Sequence, residues 1–574
     1  MCATSFRVRC FMRQRSSWSP ILLVATGAVG FVLFGYVVYP SLAVLWQSLG
    51  AADGWTLSHY GKFFSFTSPA NLLATWNSVL VSCLSVILAA LIGVPLAFLL
   101  STFEFRGRKA CSALVSMPIV LPPLVGVLAF VFLLGESGLF PRGFSNLTGS
   151  NSASWALNGI AGVVAVHGYS FSVFFFTFVS SALENRDTSL MEAAASLGAG
   201  KWLRLRRVTL PLLMPALVGA AIIVFMTSMA SFSAPLLFAG ELRVLSVQLY
   251  STRLSGDLRL AAVQSVVLSG VSLAFLFALR YWNNRRRVTM ATKGTRGRRR
   301  SLPRGLTRWL IPSAGFVVSV IMVLPHLTLV LLSFIKQGTW TFRSDAWFPA
   351  VFTVENYRMA LSLARPLANS IQMAFFATLG NLVVGVFIGW LLAVKRIRFG
   401  NVVDALVMLP WALPGTVVAV NLLTAFSTGN VFSFGQVLAG SVWLLPLAYF
   451  VRNLPVVARS AQSAFAQIDP SLEEAARSLG AGWWLRFRRV TLPLIAPGVL
   501  GGAMLAFVTA LGEFVASVLL WVPANQPISM AIFGEYREYR LEVAAAYGVL
   551  LVAFIGLVFF VSRVAFGSKA ASEV

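Results

Sequence analysis

The residue types that most often carry out chemistry are few and scattered in this 574-residue sequence. No two cysteines have CxxC spacing and the histidines are isolated, so we expect no disulfide, no metal site and no histidine-based chemistry. None of the lysines precedes Ser or Thr, so the chain has no phosphate-binding loop of the Walker type. The cysteines and histidines are Cys2, Cys10, Cys83, Cys111, His59, His167 and His326.

One acidic residue, Glu513, lies well inside an apolar run that reads AMLAFVTALGEFVASVLLW. A carboxylate in apolar surroundings costs free energy, so an ionisable residue at such a position is a functional candidate by default. The alternative is that Glu513 accepts hydrogen bonds from neighbouring helices and only holds them together. The sequence leaves both interpretations open.

A longer group of polar and charged residues occurs twice in the chain. The segment from Ser189 to Pro215 reads SLMEAAASLGAGKWLRLRRVTLPLLMP, and the segment from Ser471 to Pro497 reads SLEEAARSLGAGWWLRFRRVTLPLIAP. They are identical at 21 of 27 positions with a constant offset of 282 residues, which chance does not produce. A repeat of this kind indicates two copies of one structural unit.

Each copy predicts two helices joined by a glycine turn. The first part is a short helix former, with Ser189 or Ser471 as its N-cap and acidic residues in its first turn. Gly198 and Gly480, each followed by Ala-Gly, suit a turn with positive φ or a close approach by another surface. A basic amphipathic stretch follows that can lie along a membrane interface, and a Leu-Pro pair then begins an apolar helix.

The composition around these residues is that of a membrane protein. Hydrophobic residues make up 58% of the chain and charged residues 11%, against about 25% charged in an ordinary soluble domain. Stretches of about 20 apolar residues, each long enough to cross a bilayer, recur along the chain. We therefore predict an all-α polytopic membrane protein with about 12 transmembrane helices. The predicted spans are 20–46, 77–100, 111–134, 158–181, 212–239, 260–280, 309–335, 369–393, 402–426, 436–451, 494–521 and 541–563.

These helices divide into two homologous halves of six. We predict a first half at 1–280 with its core at about 73–280, a linker at 281–308, and a second half at 309–574 with its core at about 365–563. Because equivalent helices share one orientation, the halves should be related by an axis along the membrane normal, with a pathway on that axis. The repeat extends upstream at an offset of 292, where Asn77-Ser78 matches Asn369-Ser370, Pro118 matches Pro410 and Pro122 matches Pro414.

Basic residues predict the orientation of the spans. With the N-terminus in the cytoplasm, the cytoplasmic side receives about three times as many of the 45 Lys and Arg residues as the other side, in agreement with the positive-inside rule. Both termini, the linker and both repeated segments then lie in the cytoplasm. The basic linker could bind RNA or a regulator, but beside a membrane such a cluster more often meets anionic lipid. We expect membrane lipid and no nucleic acid as its partner.

The repeated segment resembles the signature of the permease subunits of type I ABC importers. That signature is EAA, three residues, glycine, nine residues, isoleucine, one residue and Leu-Pro. Both copies follow its order and spacing, with valine in place of isoleucine at Val208 and Val490. In that family the segment is a coupling helix that docks in a groove of the ATPase subunit. The resemblance therefore implies ATPase contacts at Glu192, Ala193, Ala194, Gly198, Leu210, Pro211, Glu474, Ala475, Ala476, Gly480, Leu492 and Pro493.

The resemblance implies a transport subunit of the bacterial inner membrane rather than an enzyme. The two copies of the repeated segment imply two copies of a separate ATPase, which would hold ATP and Mg²⁺. This chain would bind no cofactor. A periplasmic or lipid-anchored binding protein would deliver the substrate.

The substrate suggested by the resemblance is ferric iron, with thiamine, phosphonate or another small solute as alternatives. Among fused double permeases the chain most resembles the ferric-iron group, chiefly through residues 512–533. A secondary transporter driven by an ion gradient can also have twelve spans in two halves. A secondary transporter would leave the two copies of the repeated segment unexplained.

Glu513 and the aligned Ser231 are the candidate residues of the translocation pathway. About 20 residues separate Glu513 from Pro493, which places it roughly 30 Å along a helix, near the outer side. There it would stand by the external gate. An anionic oxygen ligand at that point suits a hard cation such as ferric iron.

The predicted orientation can be tested with topology reporters. Fusions at Gly294 and after Val574 should both report a cytoplasmic location, because the linker and the C-terminus lie on the side that receives most of the basic residues. A periplasmic signal from either fusion would show that the number of spans is wrong.

Overall fold

Most of the described residues lie in helices, which confirms the predicted all-α fold. The computed structural model describes the chain except residues 1–19, 51–53, 68, 137, 150–154, 186–188, 239, 241, 286–299, 303–304, 340–347, 363–364, 396–398 and 567–574. The helices of the first half are α1 (Pro20–Leu33), α2 (Tyr39–Ser48), α3 (Ser58–Phe63), α4 (Ala70–Thr102), α5 (Arg108–Val115), α6 (Pro123–Leu134), α7 (Leu139–Thr148), α8 (Gly159–Glu184), α9 (Ser189–Ser196), α10 (Lys201–Arg204), α11 (Leu210–Met229), α12 (Ser233–Phe238), α13 (Leu245–Leu254) and α14 (Leu258–Arg285).

The second half repeats this succession, except that its first span is a single helix and no described α-helix between its third and fourth spans corresponds to α7. Two strands of two residues each, β1 (Phe103–Glu104) and β2 (Arg300–Ser301), pair in parallel and connect the end of the linker to the loop after α4. Most of the predicted linker lies outside the described residues. The helices of the second half are α15 (Thr307–Ser333), α16 (Glu355–Ser362), α17 (Arg365–Trp390), α18 (Gly400–Ala412), α19 (Gly415–Ala425), α20 (Leu444–Ala466), α21 (Pro470–Ser478), α22 (Trp483–Arg486), α23 (Leu492–Leu511), α24 (Ser517–Leu520), α25 (Ile528–Arg537) and α26 (Leu541–Phe566).

Ten helices within the described residues are long and apolar enough to cross a membrane, and the bent pair α18 and α19 makes an eleventh span. The one remaining predicted span, the tenth in chain order, corresponds to α20, whose Arg452 and Arg459 lower its hydropathy. Its predicted bounds, 436–451, are wrong. The apolar residues before Leu444 belong to a loop in which Gly435 and Gly440 have φ of 78°, so the helix begins later and continues further than its hydropathy indicates.

The third span of each half is interrupted, although the sequence predicted one continuous helix. In the second half α18 and α19 meet at 108°. Leu413 precedes Pro414 and has an extended backbone, with ψ of 138°, because proline excludes the α conformation from the residue before it. Leu121 precedes Pro122 and has ψ of 125° for the same reason. The matched prolines of the repeat therefore mark a break in both halves.

The fifth span of each half is shorter than predicted. Helices α11 and α23 end at Met229 and Leu511, ten residues before the predicted ends. A short non-helical break follows, and the chain then forms α12 or α24. Helices α13 and α25 fold back into the bundle, and residues 528–533 at the start of α25 are buried. The segment 522–540, which separates the predicted spans 494–521 and 541–563, is therefore in part a packed helix.

Packing inside each half follows one plan. Helix α4 lies along α8, and α17 lies along α20. A Cβ on Gly93 would lie 2.3 Å from the carbonyl oxygen of Ser172, and a Cβ on Gly385, the matching residue at the offset of 292, would lie 3.1 Å from the backbone nitrogen of Ala458. Small residues that allow close backbone approach are typical of helix pairs in membranes, so glycine fixes the same contact in both halves.

The first span of each half packs against the other half. Helix α2 lies on α19, and α15 lies on α5 and α6. Asn421 of α19 donates to Ser41 at 3.2 Å and accepts from Ser265 at 3.2 Å. The Tyr169 hydroxyl donates to the carbonyl of Met322 at 2.6 Å. One hydrophobic core therefore contains residues from both halves, and the two halves form one bundle.

Candidate functional site

The docking segments, which we define as residues 189–211 and 471–493, have the same backbone geometry. Each contains a short helix, α9 or α21, a glycine turn and a second helix. Gly198 and Gly480 have φ of 78° and 79°, which confirms the predicted left-handed turn. A Cβ on either glycine would meet no atom of this chain within 4 Å. The turn therefore needs glycine for its backbone conformation and leaves open space beside it.

The N-cap of the second docking segment is Asp469, and not Ser471 as predicted. The Asp469 carboxylate accepts a hydrogen bond from the backbone N–H of Ser471 at 2.9 Å. This hydrogen bond lowers the pKa of the Asp469 carboxyl below its ordinary value, so the cap is charged at neutral pH and faces the positive end of the helix. In the first segment α9 begins at Ser189, and the aligned Asp187 lies outside the described residues.

The second helix of each docking segment runs without interruption into the fifth span. One π-helical turn, at Leu205–Thr209 or Phe487–Thr491, joins α10 to α11 and α22 to α23. Pro211 and Pro493 follow these turns. A proline has no N–H to donate to the carbonyl four residues earlier, and its ring clashes with that carbonyl in a regular α-helix. A π turn accommodates that disruption without ending the helix. Each docking segment is therefore continuous with a membrane-spanning helix.

Both docking segments present exposed apolar side chains. Leu197 and Leu479, next to the glycine turns, are each 87% exposed, and Trp202 and Trp484 are 71% and 61% exposed. Large apolar side chains that are exposed together indicate a binding surface. Because the same positions are exposed in both halves, the chain presents two equivalent apolar surfaces.

Glu513 lies in the break after α23, and not inside a continuous helix as predicted. Its carboxylate is 9% exposed and accepts hydrogen bonds from Arg452 Nη1 at 2.6 Å and from the Ala516 N–H at 3.0 Å. Its main-chain carbonyl accepts from the hydroxyls of Ser517 at 2.6 Å and Ser529 at 2.9 Å. The side chain and main chain of this one residue thus accept four hydrogen bonds at the helix break.

Arg452 connects two helix breaks of the second half. A Cβ on Gly415, the first residue of α19, would lie 2.4 Å from Arg452 Nη1, so the glycine makes room for the guanidinium. The same guanidinium pairs with Glu513 in the fifth span. Arg452 was not predicted as a site residue, because the predicted span 436–451 ends one residue before it.

Neutral side chains surround the equivalent break in the first half. The Ser231 hydroxyl is hydrogen-bonded to His167 Nε2 at 2.8 Å. His167 Nδ1 lies 3.0 Å from the hydroxyls of both Ser85 and Ser228, and the ring is buried. His167 is therefore a hydrogen-bonded residue of the buried interior. Ser231 and Glu513 therefore occupy matching breaks with different chemistry.

The serines and asparagines that the repeat matched at offset 292 hold the folded-back helices α13 and α25. The backbone N–H of Leu245 donates to Ser78 at 2.8 Å, and that of Ile528 donates to Ser370 at 2.9 Å. The side-chain amides bond in the same way, with Asn77 donating to the carbonyl of Arg243 at 3.0 Å and Asn369 to that of Gln526 at 3.1 Å. These matched pairs have a structural role that the sequence alone did not assign.

The repeat, the docking segments and the helix breaks agree with a known family of transport proteins. The family model for binding-protein-dependent transport system inner membrane components matches the chain twice, at residues 89–288 and 385–571. Each match contains one docking segment and one broken fifth span. The chain therefore belongs to this family, and it is a multi-pass membrane protein with two family units in one polypeptide. Within that class it is a permease of the ABC importer kind, a channel component whose ATPase is a separate subunit.

Two similar proteins align with most of this chain, and a third aligns with one part of it. The probable ABC transporter permease protein y4fN of Sinorhizobium fredii is 28% identical over 566 residues, which cover 96% of each chain. The ferric transport system permease protein FbpB of Actinobacillus pleuropneumoniae is 27% identical over 546 residues, covering 92% of this chain and 76% of its own. The probable sulfate transport system permease protein cysT of Chlorella vulgaris is 36% identical over 202 residues, covering 33% of this chain and 74% of its own.

Proposed function

We propose that this chain forms the whole translocation pathway of an importer for ferric iron. The observation that carries the proposal is the pair of docking segments with equal geometry, one in each family unit. Similarity to a ferric transport permease along 92% of the chain supports iron as the substrate. One polypeptide then supplies both halves that surround the axis.

In this proposal one ATPase subunit docks on each docking segment, which gives two copies. The exposed leucine beside each glycine turn fits an apolar groove, and the continuous helix through the π turn carries movement of the ATPase into the fifth span. ATP and Mg²⁺ are held by the ATPase, and this chain binds no cofactor. The proposed contacts are Glu192, Ala193, Ala194, Gly198, Leu210, Pro211, Glu474, Ala475, Ala476, Gly480, Leu492 and Pro493.

The proposed location is the bacterial inner membrane, with both termini and both docking segments in the cytoplasm. The distribution of basic residues supports this orientation. A binding protein delivers the substrate on the opposite side, near the breaks that follow α11 and α23. Anionic lipid headgroups surround the basic linker, and no nucleic acid is involved.

Aspartate at both glycine turns should uncouple the transporter. In the variant Gly198→Asp/Gly480→Asp, uptake should fall to background and ATPase co-purification should decrease, because a charged side chain enters the space left for the partner and strains a backbone with positive φ. The matched control is Gly200→Asp/Gly482→Asp, where φ is −62° and −61° and space is also open. Normal uptake by the first variant would remove the docking assignment.

Glu513 and Ser231 are proposed to stand beside the substrate path at the outer gate. Within the described residues, no three His, Cys, Asp or Glu side chains are grouped as a metal site would require, so a ferric ion would pass Glu513 rather than reside there. A passing cation would compete with Arg452 for the carboxylate. The ion pair also holds the break closed, and that structural role must be separated from a role in transport.

A double-mutant cycle on Arg452 and Glu513 separates these roles. Glu513→Gln alone leaves the half-buried guanidinium without its counter-charge and should destabilise the protein by up to about 3 kcal/mol. The pair Arg452→Gln/Glu513→Gln removes both charges and should recover thermal stability in detergent. If the carboxylate contacts the substrate, uptake by this double variant stays at least about tenfold below that of the parent. Recovery of both stability and uptake would mean that Glu513 has only a structural role.

Transport by the complete assembly tests the choice of substrate. The chain, its ATPase and its binding protein are reconstituted in vesicles, and uptake of radiolabelled ferric iron is compared with that of sulfate. ATP-dependent uptake of iron is expected. The second candidate is an oxyanion, favoured by the 36% identity to a sulfate permease and by the Arg452 guanidinium. Uptake of sulfate without uptake of iron would establish that alternative.

A further inference from the structure

Four aromatic rings form a continuous row between the two halves. The rings of Phe232 and Phe514 are in contact, with centroids 5.8 Å apart. Tyr250 lies 5.3 Å from Phe232 on one side, and Phe533 lies 5.3 Å from Phe514 on the other. The central pair is fully buried. The order along the row is therefore Tyr250, Phe232, Phe514 and Phe533.

The members of this row are related by the internal repeat. Phe514 matches Phe232 at the offset of 282 found in the docking segments, and Phe533 matches Tyr250 at the offset of 283 that relates α25 to α13. Two equivalent residues can contact each other only where the symmetry axis passes between them. The Phe232–Phe514 contact therefore marks the axis between the halves, where a pathway through this fold must run.

Both phenylalanines lie in helix breaks at the end of the fifth span away from the docking segments. Phe232 follows Ser231, and Phe514 follows Glu513. Each of the preceding helices, α11 and α23, has 20 residues, which corresponds to about 30 Å at 1.5 Å per residue. The aromatic pair thus lies far from the ATPase surfaces, on the side where substrate enters.

A further contact between the halves brings a break in the third span to the same place. A Cβ on Gly512 would lie 2.9 Å from Pro122 of the first half. A helix can change direction at a backbone break while the hydrogen bonds of its other turns stay intact. The breaks beside the aromatic pair therefore allow the two rings to move.

We propose that Phe232 and Phe514 are the closed outer gate of the pathway, a pair of rings on the internal axis that excludes water and solutes until the two halves separate. Apolar constrictions block ions by excluding water, so no charged group is needed for the seal. This inference rests on the proposed function, because it assumes a pathway between the halves. It adds a gate at two residues outside the docking segments and next to the candidates Ser231 and Glu513.

Passive leak of ions tests the gate without ATP, binding protein or a known substrate. The chain with its ATPase is reconstituted in vesicles that contain radiolabelled rubidium and sulfate. Efflux from vesicles with Phe232→Ala/Phe514→Ala should be about tenfold faster or more than from parent vesicles. Phe232→Leu/Phe514→Leu, which keeps two apolar side chains, should remain sealed.

The control for lost packing is Phe225→Ala/Phe275→Ala. These two rings stack on each other inside the first half, so their removal also deletes two aromatic side chains but does not open the axis. Efflux from this variant should equal that of the parent. Equal efflux from the Phe232/Phe514 alanine variant and the parent would overturn the proposal.

Cysteine cross-linking provides a second test that does not depend on the alanine variants folding. The native cysteines are replaced, Phe232→Cys/Phe514→Cys is introduced, and a short bifunctional reagent joins the two positions. ATP-dependent uptake should stop when the reagent, which contains a disulfide, joins the two cysteines. It should return when a reductant cleaves that disulfide. Full uptake by the cross-linked protein would overturn the gate. Absence of iron uptake by the parent would overturn only the substrate, because the leak measurement does not involve iron.

Discussion

A helix that stops in apolar surroundings leaves backbone N–H and C=O groups without partners, and the rest of this structure depends on how those groups are satisfied. The breaks in the third spans follow from proline. The breaks in the fifth spans are closed by side chains, since Ser246 donates to the Ser231 carbonyl at 2.7 Å and Ser529 donates to the Glu513 carbonyl at 2.9 Å. The shared hydrogen bonds keep equivalent breaks in equivalent places, and this symmetry brings Phe232 and Phe514 together on the axis.

The two halves share a framework but differ in charge at the breaks. In the second half the half-buried Arg452 forms an ion pair with the buried Glu513, whereas in the first half Ser231 bonds to the imidazole of His167. A fused polypeptide permits this difference, because the two units can change independently while the docking segments stay alike. The transport path we propose is therefore symmetric in its gate and asymmetric in the polar groups beside it, so a substrate meets charged groups on one side only.

The sequence predicted features that depend on local backbone preferences. The glycine turns at Gly198 and Gly480 and the six-helix halves follow from residue type, spacing and repeat. The bounds of α20 could not be predicted, because Arg452 lowers the hydropathy of this helix. Its ion-pair partner, Glu513, is 61 positions further along the chain. The π turns leave the apolar pattern almost unchanged, so periodicity does not reveal them. The aromatic gate required knowledge of which repeated residues lie on the axis.

In the proposed assembly, one copy of this chain, with its two docking segments, is a complete membrane pathway for two ATPase subunits. Native mass spectrometry of the complex purified through a tag on this chain measures that stoichiometry directly. We expect one 62.1 kDa chain with two ATPase copies. A complex of two such chains with two ATPase subunits would contradict it, because the axis between the halves of a single chain would then not be the axis of the transporter.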